Sequence, residues 1–269
     1  MSSRIVSEIW IYPVKSLGGI QLQSAKVLPK GLEYDRRLML IDEGNMFMTQ
    51  REHHQMALFK TELVDQKFFA HHNGESIELN YNYSGNPIIS QVWNDPILVY
   101  EVSKLHSDWF SDRLKIKCKL VVFPENLSRQ IDPKYKINDD HVSLADGYPL
   151  LVIGQSSLDD LNGRMENPLP MNRFRPNLVF TGGEPFEEDH WSRFKIGESG
   201  FAAVKKCARC VLTTVNQDTA EKGIEPLATL AKYRRGENNV YFGQNLIPLN
   251  AGNEISVGQT IEILSKTEA

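Results

Sequence analysis

Cysteine is scarce in this chain: Cys118, Cys207 and Cys210 are the only three in 269 residues. They are too few and too unevenly placed for a disulfide framework in a protein of this length, so a reducing, cytoplasmic setting is expected. No stretch approaches the long uncharged apolar run that a membrane-spanning helix needs. The opening segment, MSSRIVSEIWIYPVKS, carries charge and strand-like alternation in place of a cleavable apolar leader. Neither export nor a membrane partner is therefore expected. A basic excess is missing too. Thirty Lys and Arg stand against thirty-four Asp and Glu, for a net charge of -4, which gives no electrostatic footprint for a nucleic-acid polymer. Asp139-Asp140-His141 has no G-x-S-x-G nucleophile turn to accompany it. Gly18-Gly19 lacks the lysine of a phosphate loop and reads as a turn. No internal repeat, low-complexity tract or Gly/Ser linker occurs.

What is present is an ordinary globular composition, 41% hydrophobic and 24% charged, long enough to bury a substantial core. Short runs with strand-like patterning dominate the first part, at 5–12, 36–42, 57–64, 76–82 and 96–102. One helix interrupts them, because Leu105, Trp109, Phe110 and Leu114 recur at helical spacing. A second block begins near 117–124. Ser156 or Ser157, followed by Asp159 or Asp160, resembles a capping box for a short helix. Strands are expected at 177–182, 194–197, 210–215 and 260–264, and a helix at 225–236 with Pro226 in its first turn and Gly236 at its end. The pattern is α+β and β-rich, without the βαβ alternation of a parallel sheet. A boundary near residue 122 divides it into 1–122 and 123–269.

The densest local chemistry is K-K-C-A-R-C-V-L-T-T-V at 205–215. A structural zinc site would need two further ligands, from Cys118 or from His53, His54, His71, His72 or His141, and none of them has knuckle spacing. The paired histidines read as exposed side chains. A redox dithiol usually opens a helix, whereas Cys210 leads into a β-branched run. Two further readings stay open: buried thiols acting as small hydrophobes, and a single thiolate ligand to a soft, high-valent metal, with Lys205, Lys206 and Arg209 supplying positive charge.

Further segments accompany the pair in order along the chain. They are Tyr12-Pro13-Val14-Lys15-Ser16, Gly31-Leu32, Asp35-Arg36, Asp146-Gly147-Tyr148-Pro149, Ser157 through Asn162, Arg173-Phe174-Arg175-Pro176-Asn177 and Phe242-Gly243-Gln244-Asn245. With Cys-Ala-Arg-Cys they resemble the MOSC family, especially the mitochondrial amidoxime reducing components and their bacterial relatives, over roughly Tyr12 to Leu264. The resemblance implies a mixed, β-barrel-like MOSC domain preceded by a β-rich MOSC-associated region whose first strands complete the barrel.

The resemblance also implies a molybdenum held by Cys210 and by the dithiolene sulfurs of a pterin. Lys15, Ser16, Arg36, Gly147, Tyr148, Arg175, Ala208, Arg209 and Asn245 fall where the family contacts the pterin and its phosphate. Gly147 and Tyr148 depart from relatives with small hydroxyl residues, so main-chain contacts are expected there. Lys15, Arg36 and Arg175 suit a near-dianionic phosphate, and Asn245 suits a heterocycle edge. Each also has a plainer reading: surface charges, an Asp35–Arg36 ion pair, or turns at 146–147 and 242–245.

The implied activity is reduction of N-hydroxylated compounds such as amidoximes, hydroxylamines or hydroxylated nucleobases. The cysteine run of an iron–sulfur domain, which some relatives carry, is absent from the sequence, as is the anchor of the mitochondrial members. A separate electron donor is expected, a flavin reductase with or without a small haem or iron–sulfur carrier. The alternative is a non-catalytic protein that binds or carries the molybdenum cofactor.

Overall fold

The computed structural model describes residues 3–83 and 85–267. Its backbone is a nine-stranded sheet drawn from both ends of the chain. The order runs Ile20–Leu22, Ile5–Ile11, Leu178–Thr181, Leu150–Gly154, Asn239–Pro248, Ser199–Ala208, Trp191–Ile196 and Ile261–Lys266, with Arg235–Gly236 paired to the side of Asn239–Pro248. Only Leu150–Gly154 beside Leu178–Thr181 is parallel in this sheet. Ile5 bridges Thr260, just before the last strand, so the sheet curls back on itself towards a barrel.

A second sheet joins Leu38–Asp42, Cys118–Val122, Asp95–Glu101 and Ile88–Val92. Lys60–Val64, Lys67–His72 and Glu75–Leu79 form a smaller meander. Helix α1, Lys104–Leu114, packs on Cys118–Val122, capped by the Ser103 hydroxyl, which accepts from the His106 N–H. Ser24–Leu28 pairs with Gly31–Leu32 on one side and Glu254–Ser256 on the other, tying the N-terminal third to the C-terminal end. The largest buried cluster spans both halves of the chain. Ile9, Leu38, Phe59, Phe110 and Leu120 share a continuous buried cluster with Trp191, Phe194 and Phe201. Among the described residues no helix is long and apolar enough to cross a membrane.

Most expected elements form near their expected places, and the departures have local causes. The segment 57–64 divides into a 3-10 turn, His54–Leu58, and the strand Lys60–Val64. Helix α2, Gln155–Asn162, opens after Gly154, and no side chain caps it. Ser157 is used elsewhere: its hydroxyl donates to the buried Glu188 carboxyl at 2.9 Å and accepts from the Phe186 N–H at 2.7 Å. Helix α3 is short, Leu227–Tyr233, and ends before Gly236.

The largest departure is at 210–215, where Val211–Thr214 is a 3-10 turn in place of a strand. The hydroxyls of Thr213 and Thr214 donate to the carbonyls of Cys210 and Val211, offering the backbone a local alternative to a sheet ladder. Arg173 fixes this turn from behind, its Nε donating to the Thr213 carbonyl at 2.9 Å. The strand lies just upstream, Ser199–Ala208, so the Cys-x-x-Cys pair straddles a strand end.

Candidate functional site

Three of the recurring segments interlock around the ring of Tyr12. The Asp35 carboxylate accepts from the Tyr12 N–H at 2.7 Å and from Arg36 Nη1 at 2.6 Å. Arg36 also donates to Asn177 Oδ1 at 3.2 Å and to the Arg175 carbonyl at 3.3 Å. Tyr12 donates its hydroxyl to the Pro176 carbonyl. The guanidiniums of Arg36 and Arg175 lie 4.4 and 4.2 Å from the centroid of the Tyr12 ring, so one aromatic supports two cations. Burial pushes the Tyr12 hydroxyl up to about 12.

The two arginines differ in what answers them. Arg36 is paired with the buried Asp35. Arg175 is 7% exposed, and its Nη2 is buried with no hydrogen-bond partner among the described residues. Burial pushes its guanidinium down to about 10. A buried donor without an acceptor is costly, and this one belongs to a residue that lines a cleft, where a ligand can supply the acceptor.

Ser16, Arg36 and Arg175 all have left-handed backbone, with φ of 67°, 51° and 55°. Non-glycine residues adopt this conformation at a cost, and such strain collects at binding sites. Lys15 lies nearby, buried, with Nζ donating to the Leu144 carbonyl at 2.8 Å and to Asp146 at 2.6 Å. Its ammonium is pushed down to about 8 by burial, with Asp146 opposing the shift. Desolvation disfavours the Asp146 charge, but Lys15 and Arg51 together hold this carboxyl well below the usual carboxylate range.

At the other end of the cleft the two cysteines part ways. Cys207 is half-buried, and Arg209 Nη1 donates to its sulfur at 2.9 Å while Nη2 donates to the Phe174 carbonyl. Cys210 is exposed at the start of the 3-10 turn, and Arg51 Nε donates to its sulfur at 3.3 Å. Arg51 also pairs with Asp146, which links the cysteine to Lys15. Buried amides join the halves behind this network: Gln50 and Gln217 bond reciprocally, and Gln50 donates to the Ser16 carbonyl at 2.7 Å.

All ten residues singled out in the sequence line one cleft: Lys15, Ser16, Arg36, Gly147, Tyr148, Arg175, Ala208, Arg209, Cys210 and Asn245. Asn245 lies in Asn239–Pro248, between Leu151 and Lys205, so Phe242 through Asn245 is strand and not a turn. Gly147 faces open space. The Tyr148 side chain turns to Tyr135, in an edge-on contact at 5.8 Å, with Lys205 nearby.

Arg51 was not among the expected residues. Its Met48-Thr49-Gln50-Arg51 context has no spacing that distinguishes it from a surface arginine, and its partners come from residues 146 and 210. Among the described residues no group of three or more His, Cys, Asp or Glu converges on one point, so the zinc reading of the cysteine pair finds no further ligands.

Two family models match, the MOSC N-terminal beta barrel domain over residues 3–117 and the MOSC domain over 139–262. This chain belongs to the MOSC family. It is 32% identical to mitochondrial amidoxime-reducing component 1 of Mus musculus, over 97% of this chain and 82% of that protein. It is 33% identical to mitochondrial amidoxime reducing component 2 of Bos taurus, over 85% and 72%. A molybdenum cofactor sulfurase of Oryza sativa subsp. japonica is 30% identical over 88% of this chain but only 32% of its own length.

Proposed function

We propose that this protein is a molybdenum-cofactor-dependent reductase of N-hydroxylated compounds: amidoximes, hydroxylamines and hydroxylated nucleobases. One observation carries the reading. A single cleft presents an exposed thiol, Cys210, together with a buried guanidinium edge, Arg175 Nη2, that lacks an acceptor. A phosphorylated pterin bearing a metal on its sulfurs offers a partner to each. The names of the relatives, amidoxime-reducing component and molybdenum cofactor sulfurase, support the same cofactor.

The residues fit that group. Thiolate suits a soft, high-valent metal, and Cys210 is the accessible sulfur of the pair. Arg175, Arg36 and Lys15 would meet the phosphate with charge-assisted bonds, and Ser16 would add a donor. Ala208 and Gly147 contribute little side-chain bulk to the pterin's wall, while Asn245, Arg209 and Tyr148 border it. The enclosed space is about 150 Å³. Small-molecule sites span roughly 300–1,000 Å³, so the cleft would enclose only part of a pterin and leave the rest at its open mouth.

When bound, the cofactor supplies two electrons and an acceptor for oxygen. The overall change converts N–OH, two electrons and two protons into N–H and water, with electrons delivered by a separate flavin reductase, with or without a small haem or iron–sulfur carrier. The protein's part is placement. Cys210 retains the metal, and Arg51 holds the Cys210 side chain. Arg209 gives Nη1 to Cys207 and Nη2 to Phe174, and its buried Nε, which has no acceptor among the described residues, suits the pterin wall.

The reading is tested by supplying reduced, cofactor-loaded protein with benzamidoxime, which it should convert to benzamidine. Stoichiometric molybdenum without turnover under several electron donors would instead favour a cofactor carrier, a role that the sulfurase match supports.

A further inference from the structure

We propose that Arg51 and Trp93 form the substrate subsite beside Cys210, and that this subsite selects planar aromatic N-hydroxylated compounds. The inference rests on the reductase reading above.

Trp93 occupies the two-residue turn between Ile88–Val92 and Asp95–Glu101, with φ of 56°. A left-handed first position in such a turn favours glycine, so turn geometry gives no reason for tryptophan there. Burial gives none either, since the residue is 47% exposed. What holds the indole is one cleft residue, Arg51, together with Phe47 behind it. The Arg51 guanidinium lies 4.7 Å from its ring centroid, and Phe47 meets it edge-on at 5.5 Å. A strained, exposed aromatic is thus held one guanidinium away from the candidate metal ligand.

Arg51 is placed to work with it. Nε donates to Cys210 and Nη2 to Asp146. Nη1 makes no hydrogen bond to the described residues, which leaves that amino group of a rigid, planar guanidinium free beside the sulfur. An N–O oxygen accepts from that donor, and an aromatic substituent on the same substrate stacks on the open part of the indole. Aliphatic substrates gain the first contact and not the second. Arg209, the other arginine of the cleft near the cysteines, has both terminal nitrogens engaged away from Cys210.

Two measurements on the protein as purified test this. Benzamide, which carries an oxygen acceptor and has no N–O bond to reduce, is titrated while tryptophan fluorescence is followed, with acetamide as the non-aromatic control. Benzamide should quench the wild type, and Trp93→Phe should lose that quenching. Separately, Trp93→Ala should lower the kcat/KM ratio of benzamidoxime over an aliphatic amidoxime by about three- to tenfold, the range of an aromatic pair. Quenching that persists in Trp93→Phe, no quenching in the wild type, or equal losses for both substrates would overturn the subsite. Protein that shows Trp93-dependent quenching and reduces neither substrate would keep the subsite and sink the reductase reading.

Discussion

The two ends of the cleft are built on different principles. At the Tyr12 end, short segments lock together by contacts within and between themselves. Asp35 pairs with its neighbour Arg36, and Arg175, Pro176 and Asn177 all serve the same arrangement. At the Cys210 end, single residues far apart in sequence meet: Lys15, Arg51, Asp146 and Cys210. The first end is densely hydrogen-bonded and carries a buried guanidinium edge without an acceptor among the described residues. The second is open, with an exposed thiol and, across Arg51, an exposed indole. A hydrogen-bonded anion cradle joined to an accessible sulfur is the division of labour that the proposed cofactor would need.

Breaking the Tyr12 end should cost most. Arg36→Met leaves the buried Asp35 carboxylate without its cation, answered among the described residues only by the Tyr12 N–H, and loss of one partner of a buried pair destabilises by about 3–5 kcal/mol. Denaturant unfolding of the metal-free protein measures this. Next comes a pH effect at the other end. The Lys15 ammonium is pushed from 10.5 down to about 8 by burial. Between those values the unfolded chain holds a proton that the folded chain has released. This group's contribution to stability therefore rises as pH increases from about 8 to about 10.5, by about 3 kcal/mol, and is absent below 8. Comparing wild type with Lys15→Met across that window isolates the slope.

Arg175→Met sharpens the contrast with Arg36. Its side chain has no carboxylate partner, so folding stability should change little. Cofactor retention should fall by about ten- to a hundredfold, the worth of a charge-assisted bond. Molybdenum content after dialysis reads this out. Smallest is Tyr148→Phe, whose ring contact with Tyr135 survives the loss of the hydroxyl. Metal content and melting should shift within about 0.5 kcal/mol.

The Tyr12 end was legible in the sequence because its chemistry is written in contiguous segments, and Ser16, Arg36 and Arg175 line one cleft. The Cys210 end was only partly so. The cysteine pair stood out by its spacing and the family resemblance singled out Cys210 within it, whereas Arg51 and Trp93 acquire meaning only when residues 51, 93, 146 and 210 meet in space. The fold behaved similarly. Strands with clean alternation, such as Asp95–Glu101, were visible. Ser199–Ala208, one of the two longest, was hidden because Gly200, Ala202, Ala203, Lys205 and Lys206 have weak strand preference and are held by neighbours on both sides. Conversely, Val211–Thr214 looked like a strand by composition, but threonine hydroxyls and Arg173 hold it in a turn.

The central claim is that one of two neighbouring thiols holds the metal. Molybdenum and pterin should be assayed in wild type, Cys207→Ser and Cys210→Ser, made in a cofactor-producing host and shown by circular dichroism to be folded. The account predicts near-stoichiometric metal in the first two and background levels in Cys210→Ser. Equal metal in both serine variants would contradict it.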